Sequence, residues 1–291
     1  RAGEHEYRYA LSVHADEIVS EGLWRRKLGA SRTAMLFERE GAEVELGPTL
    51  RKLVTAARFN PSLPYLSFLC INFDAPVIKE AASWFLDGVF LNYNSSYLER
   101  MLEQLLDEAE SPEVTRFLRA VDVRIDGFRV EKAPEWRGQR VFVRHEVDGK
   151  GYELRLSEES AGTQKLMGLA AYLMTALERG ATVVVDELDA KLHPKLLRYV
   201  ILLFKNPEVN KSGAQLIFSS QDVSTMRNDV FRRDEIWFAA RGEGEASPLW
   251  SLADIHEANG NLVSKNAAFD KQYLSGRYGA DPYLTRIEEW D

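Results

Sequence analysis

Apolar and polar positions alternate from the start of the chain. Tyr7, Tyr9 and Leu11 are separated by Arg8 and Ala10, the two-residue period of a strand with one buried face. Tyr7–Val13, Ile18–Leu28 and Thr33–Glu38 read as strands and Glu40-Gly41 as a turn, so residues 1–47 are expected to form a β-rich lobe. Between residues 48 and 120 the period lengthens to that of a helix. Leu53, Ala56 and Ala57 begin it, then Val77, Ala81, Ala82 and Phe85, then Leu98, Leu102, Leu105 and Leu106, with breaks at Asn60-Pro61 and Pro64. Ser111-Pro112-Glu113 reads as a cap with proline at the first helical position, leading into Val114–Ala120. Residues 121–156 return to strands, and Arg140–Val147 and Tyr152–Leu156 flank the hairpin turn Asp148-Gly149.

After Ser157 the pattern becomes helix, strand, helix, strand, which argues for parallel strands joined by crossover helices. Leu166, Leu169, Ala170, Leu173, Met174 and Leu177 form one helical face, and Gly180 suits its C-terminal stop. Thr182–Val185 is a continuous β-branched run, expected to be a strand buried on both faces. His193-Pro194 opens the next helix and Gln215–Ser219 is the next strand. Glu235–Ala239 is expected to extend the same sheet. Residues 157–258 thus form a second lobe, 242–247 a polar loop, and 259–291 a tail that packs irregularly. The fold class expected is α/β, with a β-rich lobe and an inserted helical segment.

Composition narrows the functions. Over 291 residues, 45% are hydrophobic and 28% charged, and the formal net charge is −8. That charge excludes a whole-chain basic field for gripping nucleic acid. Arg25-Arg26-Lys27, the densest basic cluster, reads as a solvated run. The single cysteine, Cys70, excludes an intrachain disulfide framework and suits a reducing, cytoplasmic setting. No apolar run approaches the ~20 residues of a membrane span, and no signal peptide is evident. The chain begins within a strand and without Met, so further residues are expected upstream.

The candidate chemistry lies at two places. Ser160, Ala161, Gly162, Thr163 and Gln164 are small or polar residues opening a helix. Free amides and the helix dipole make such a turn attractive to an anion, although an ordinary capped core helix looks the same. Asp186 and Glu187 end the β-branched strand, where open α/β sheets bind ligands. There Asp186 can hold Mg²⁺ through hard oxygen and Glu187 can orient or deprotonate a water. Two solvated acids would be the plainer reading. Asp189 is a turn residue or a subunit contact, His193 a helix-start residue. Gln221, at the end of the next strand, can hydrogen-bond a γ-phosphate or position a water.

These pieces share order and spacing with a known family. Ser160–Gln164 resembles the signature motif of ABC-type ATPases, Val183–Glu187 their Walker B strand, Leu188–Pro194 the D-loop region of SMC-like and RecF-like members, and Ile217–Asp222 the switch strand. The chain more closely resembles ABC-like AAA ATPases of bacterial phage-defence and abortive-infection loci, through Leu36–Arg39, Arg233–Phe238 and Tyr273–Ala280 as well. The resemblance implies an ABC-ATPase-like P-loop NTPase core and two copies that sandwich ATP. Asp186 would then serve Mg²⁺ and Glu187 act as base. Ser160, Gly162, Thr163 and Gln164 would reach the partner's nucleotide, with Asp189 in the D-loop and Gln221 at the switch. It also implies a homodimer or higher homo-oligomer, an effector protein encoded nearby, room for DNA or RNA contact, and no membrane.

Two departures stand out. No G-x-x-x-x-G-K-[ST] loop is present, since Lys211-Ser212 lacks the glycines and Gly149-Lys150 is a hairpin turn. The switch residue, usually His, is Gln221, which cannot carry a proton. The lead expectation is therefore an ATPase whose dimerisation gates a defence effector. The alternative is a nucleotide-responsive scaffold or DNA-associated protein with negligible turnover. A metal-dependent nuclease built on Asp189-Ala190-Lys191 is a third reading.

Overall fold

The structure, a computed structural model, describes residues 2–54, 58–92, 112–121, 125–132, 139–240, 246–257 and 260–280. Ala56, Ala57, Leu98, Leu102, Leu105, Leu106 and Ser111, most of the 242–247 loop and the tail beyond residue 280 lie outside them. The chain divides into two units, Arg1–Gly88 and Val89–Asp291.

The first unit is built on the strand alternation at its start. β1 (His5–His14), β2 (Glu17–Lys27), β3 (Thr33–Glu40) and β4 (Glu43–Leu46) form an antiparallel meander in that order. Leu23, Phe37 and Leu50 pack with Tyr65, Leu66 and Leu69 of α1 (Tyr65–Asn72) and Ile78 of α2 (Pro76–Leu86). A fully buried ion pair crosses the sheet at the register pair Glu21–Arg39, 3.2 Å apart. Glu21 accepts the Tyr65 and Leu66 amides at 2.6 and 2.9 Å, so it caps α1, whose own N-cap Pro64 offers no side chain for the purpose. Arg39 donates to the carbonyls of Gly41, Pro61 and Leu63 and stacks on Phe59. The Leu36–Arg39 motif is thus accounted for as packing. In the basic cluster, Arg26 pairs with Glu6 and Lys27 with Glu4. Cys70 is half-buried, and burial pushes its thiol pKa up.

The second unit holds a parallel sheet in which β9 (Thr182–Asp186) lies between β5 (Val89–Asn92) and β10 (Gln215–Phe218). β5 falls inside the stretch expected to be helical. Four residues, Val-Phe-Leu-Asn, are too few for periodicity to separate a strand from a helical turn. Val183 and Val185 are buried against α3 (Pro112–Ala120), α4 (Ala161–Arg179) and α5 (Pro194–Lys205). The opposite row, Phe90, Val184 and Ile217, is in register across the sheet, yet Phe90 is 58% and Ile217 51% exposed. On the central strand itself Thr182, Val183 and Val185 are buried and Val184 is partly so, close to the burial expected of it, and the exposure lies on the flanking strands.

α4 is buried from Lys165 through Leu173, well beyond the single stripe read from its sequence, because α3 and β9 both pack against it. It ends at Gly180 in the left-handed conformation, φ 72°. β6 (Gly127–Lys132), β7 (Gln139–Val147) and β8 (Lys150–Arg155) form an antiparallel sheet. Its Asp148-Gly149 turn has φ positive at both residues, the hairpin geometry its composition favours.

The expected fourth strand does not extend the parallel sheet among the described residues. β11 (Trp237–Ala239) pairs antiparallel with β12 (Leu249–Ser251). The apolar side of this hairpin meets the tail: Phe238 stacks on Tyr273 of α6 (Phe269–Leu274) and packs on Tyr278, whose carbonyl accepts the Trp250 indole N–H at 3.2 Å. Tyr273 donates to Ala280 O, so the Tyr273–Ala280 motif holds a small aromatic core.

Candidate functional site

β9 delivers two carboxylates past its carboxyl end, and the neighbouring strand fastens them. Ser219, just beyond β10, donates its hydroxyl to Asp186 Oδ1 at 2.5 Å and accepts the Glu187 amide at 2.8 Å. Its backbone also brackets the turn, accepting from Leu188 N and donating to Val185 O. Glu187 has φ +52°. A non-glycine residue held there stores roughly 1–3 kcal/mol of strain, a condition that clusters at functional sites. Lys191, at the far end of the same loop, has φ +62°.

The N-terminus of α4 lies against this loop. Ser160 is the N-cap and accepts from Thr163 N at 3.1 Å, and the Ser160 and Thr163 hydroxyls are 2.8 Å apart. Ala161 and Gly162, the first helical residues, have amides with no intrahelical acceptor. Gln164 turns back and donates to Glu159 O at 2.7 Å, which braces the turn. Glu159 in turn sits 2.6 Å from His145 Nε2. A Cβ on Gly162 would lie 3.0 Å from Lys191 O, tighter than an ordinary contact. Glycine here permits the close approach of turn and loop.

Lys165 joins the two. Its side chain is buried, and its ammonium donates to Glu187 O at 3.1 Å, to Leu188 O at 3.0 Å and to Ala190 O. Burial pushes its pKa down to about 8, against the pull of the Asp189 and Glu187 carboxylates. Asp189 closes the loop from the other side: Oδ2 accepts Gln221 N at 3.2 Å, while Oδ1 is buried with no hydrogen-bond partner among the described residues. The Gln221 residue itself is exposed. His193 caps α5, accepting from Lys195 N at 3.2 Å.

All eight residues singled out in the sequence, Ser160, Gly162, Thr163, Gln164, Asp186, Glu187, Asp189 and Gln221, therefore fall in one neighbourhood. Two others escaped sequence reading. Ser219 was readable only as the last residue of a strand, and its role depends on the register of β10 against β9. Lys165 follows the signature turn and looks like a solvated helical lysine until the loop is placed over it.

The donors suit Mg²⁺ with a polyphosphate better than a protein-only metal cage. Asp186 is an exposed carboxylate that could serve as a hard-oxygen ligand, and among the described residues no group of three His, Cys, Asp or Glu side chains could hold a metal. Mg²⁺ commonly takes one or two carboxylates and fills its shell with water and phosphate oxygens. Among the described residues no helix is long and apolar enough to cross a membrane.

A domain from a study of ATP-driven dimerization and DNA stimulated activation of SMC ATPases has 17% identity and a TM-score of 0.37, over 53% of this chain and 88% of its own. The SMC head domain from Thermotoga maritima has 14% identity and a TM-score of 0.36, over 86% and 74% respectively. An SMC head bound to the C-winged helix domain of ScpA has 14% identity and a TM-score of 0.41, over 80% and 68%. Scores and identities this low carry no weight of their own. No curated protein gives a match. The family model described as "AAA domain, putative AbiEii toxin, Type IV TA system" matches residues 7–227. That match covers well over half of the chain, which belongs to this AAA domain family.

Proposed function

We propose that this chain serves an ATPase that closes as a homodimer around ATP and Mg²⁺. The observation that carries the reading is the Asp186–Ser219–Glu187 arrangement at the end of β9, with the amide-lined turn at Ser160–Gln164 fastened beside it. The carboxylate pair suits the metal and water side of a phosphate, and the turn suits the anion side. In the assembled state the turn of one copy would face the nucleotide held by the other. The reading also requires a phosphate-binding loop of the G-x-x-x-x-G-K-[ST] kind.

The chemistry that Mg²⁺ would supply when bound is positive charge against that developing on the phosphate oxygens. Asp186 would hold it, and Ser219 fixes the orientation of that carboxylate. Glu187 would take a proton from the attacking water as oxygen bonds to the γ-phosphorus and the bond to the bridging oxygen breaks, releasing ADP and phosphate. Ala161 and Gly162 amides, the Ser160 hydroxyl and Gln164 would stabilise the partner's γ-phosphate. Gln221 would hydrogen-bond phosphate or water.

The test uses the full protein with its phosphate-binding loop. Glu187→Gln should retain ATP binding and lose roughly 10²–10⁴ of the hydrolysis rate. Unchanged turnover would remove the assigned base. A second reading, a nucleotide-responsive scaffold with negligible turnover, is favoured by Gln221, a switch residue that carries no proton. Under the ATPase reading the assembled state would gate an effector of antiviral defence, with DNA or RNA as a further contact. Hydrolysis rates measured with and without those partners separate the two.

A further inference from the structure

We infer that Lys165 is a positioning residue that makes the Ser160–Gln164 turn and the Glu187–Lys191 loop one mechanical piece, so that engagement of the turn is felt at Glu187. The inference rests on the ATPase reading above for its catalytic consequence, but not for its structural one.

The geometry gives Lys165 a definite place. An ammonium has three protons, and carbonyls at Glu187, Leu188 and Ala190 lie around it. These are three carbonyls of one five-residue loop, gathered by a side chain from the first turns of α4. A solvated lysine would not be drawn into such a place, because burying an ammonium is unfavourable unless it is well satisfied. Two further observations point the same way. Gly162 lacks the Cβ that would crowd Lys191 O at 3.0 Å, so turn and loop also meet by backbone approach. The loop is anchored at its outer side by Asp189 to the Gln221 amide, with the second Asp189 oxygen buried. Glu187 and Lys191, both left-handed, are the flexed ends of the segment that Lys165 grips.

The consequence is directional. A ligand that shifts the turn must move Lys165, and Lys165 carries the backbone of Glu187 with it. In a dimer with the turn acting on the partner's nucleotide, one site would thereby sense occupancy of the other. Lysine rather than arginine suits the task, since a compact point charge can sit among three converging carbonyls, whereas a planar fork spreads its donors.

Lys165→Met keeps the length of the side chain and removes the donors, and Lys165→Arg keeps the charge. Hydrogen exchange without nucleotide reads the clamp directly. In Lys165→Met, amides of the 188–192 segment should exchange at least ~10-fold faster while those of 169–177 stay protected, and Lys165→Arg should restore part of the protection. In the full protein with its phosphate-binding loop, kcat for ATP should fall at least ~10-fold with KM within about twofold. Loop exchange and kcat both at the wild-type level would overturn the inference and leave the ATPase reading standing. Faster exchange throughout 169–177 would reduce Lys165 to a structural residue and overturn it likewise, as would a loosened loop with unchanged kcat. If the wild-type protein hydrolyses no ATP, the ATPase reading fails, and the exchange data alone still decide the clamp.

Discussion

Gly162 shows how one missing methyl group shapes the site. Alanine is favoured over glycine inside a helix by about 1 kcal/mol, so Gly162→Ala gains locally while crowding Lys191 O. The two effects oppose each other, and the melting midpoint is expected to stay within about 5 °C of wild type. Turnover is expected to fall at least ~10-fold, because the loop that ends at Lys191 begins at Glu187. Calorimetry beside a steady-state assay checks both; a large loss of stability with normal turnover would show that glycine serves packing alone. At this scale the acids and the small-residue turn were legible in the sequence, since each sits where its element must end. Lys165 and Ser219 were not. A buried lysine has no one-dimensional signature, and Ser219 meets Asp186 only through pairing between strands more than thirty residues apart in the chain.

Among the elements, the stability of the first unit depends on the buried Glu21–Arg39 pair, which ties β2 and β3 to the loop before α1. Arg39→Met leaves Glu21 buried and uncompensated and should destabilise the unit by roughly 3–5 kcal/mol, whereas the double variant Glu21→Leu/Arg39→Met should recover part of that loss. Denaturant unfolding followed by tryptophan fluorescence measures it, and a single-variant loss indistinguishable from zero would contradict the assignment. Gly180 closes α4 with φ 72°, and a Cβ there would fall 2.4 Å from Ser212 O. Gly180→Ala should lose about 2 kcal/mol or more, from left-handed strain together with backbone crowding; an unchanged denaturation midpoint would count against this. The long alternating strands and the amphipathic helices were readable because their periods persist over many residues. β5 and the pairing of β11 were not, because runs of four and three residues carry no decisive period and their partners are chosen by tertiary packing.

For the molecule as a whole, the family match supports an AAA domain, and the grouping of eight sequence-chosen residues in the second unit supports where its chemistry would lie. The central claim is that each ATP is handled by the turn of one copy and Glu187 of the other. Mixing two inactive variants of the full protein tests it most directly. Ser160→Arg blocks the turn and Glu187→Gln removes the base, so each alone gives two defective sites per dimer. An equimolar mixture allowed to exchange subunits should regain roughly a quarter of wild-type hydrolysis, because half the dimers are mixed and each holds one intact site. A mixture no more active than either variant alone, with subunit exchange verified, would contradict the account.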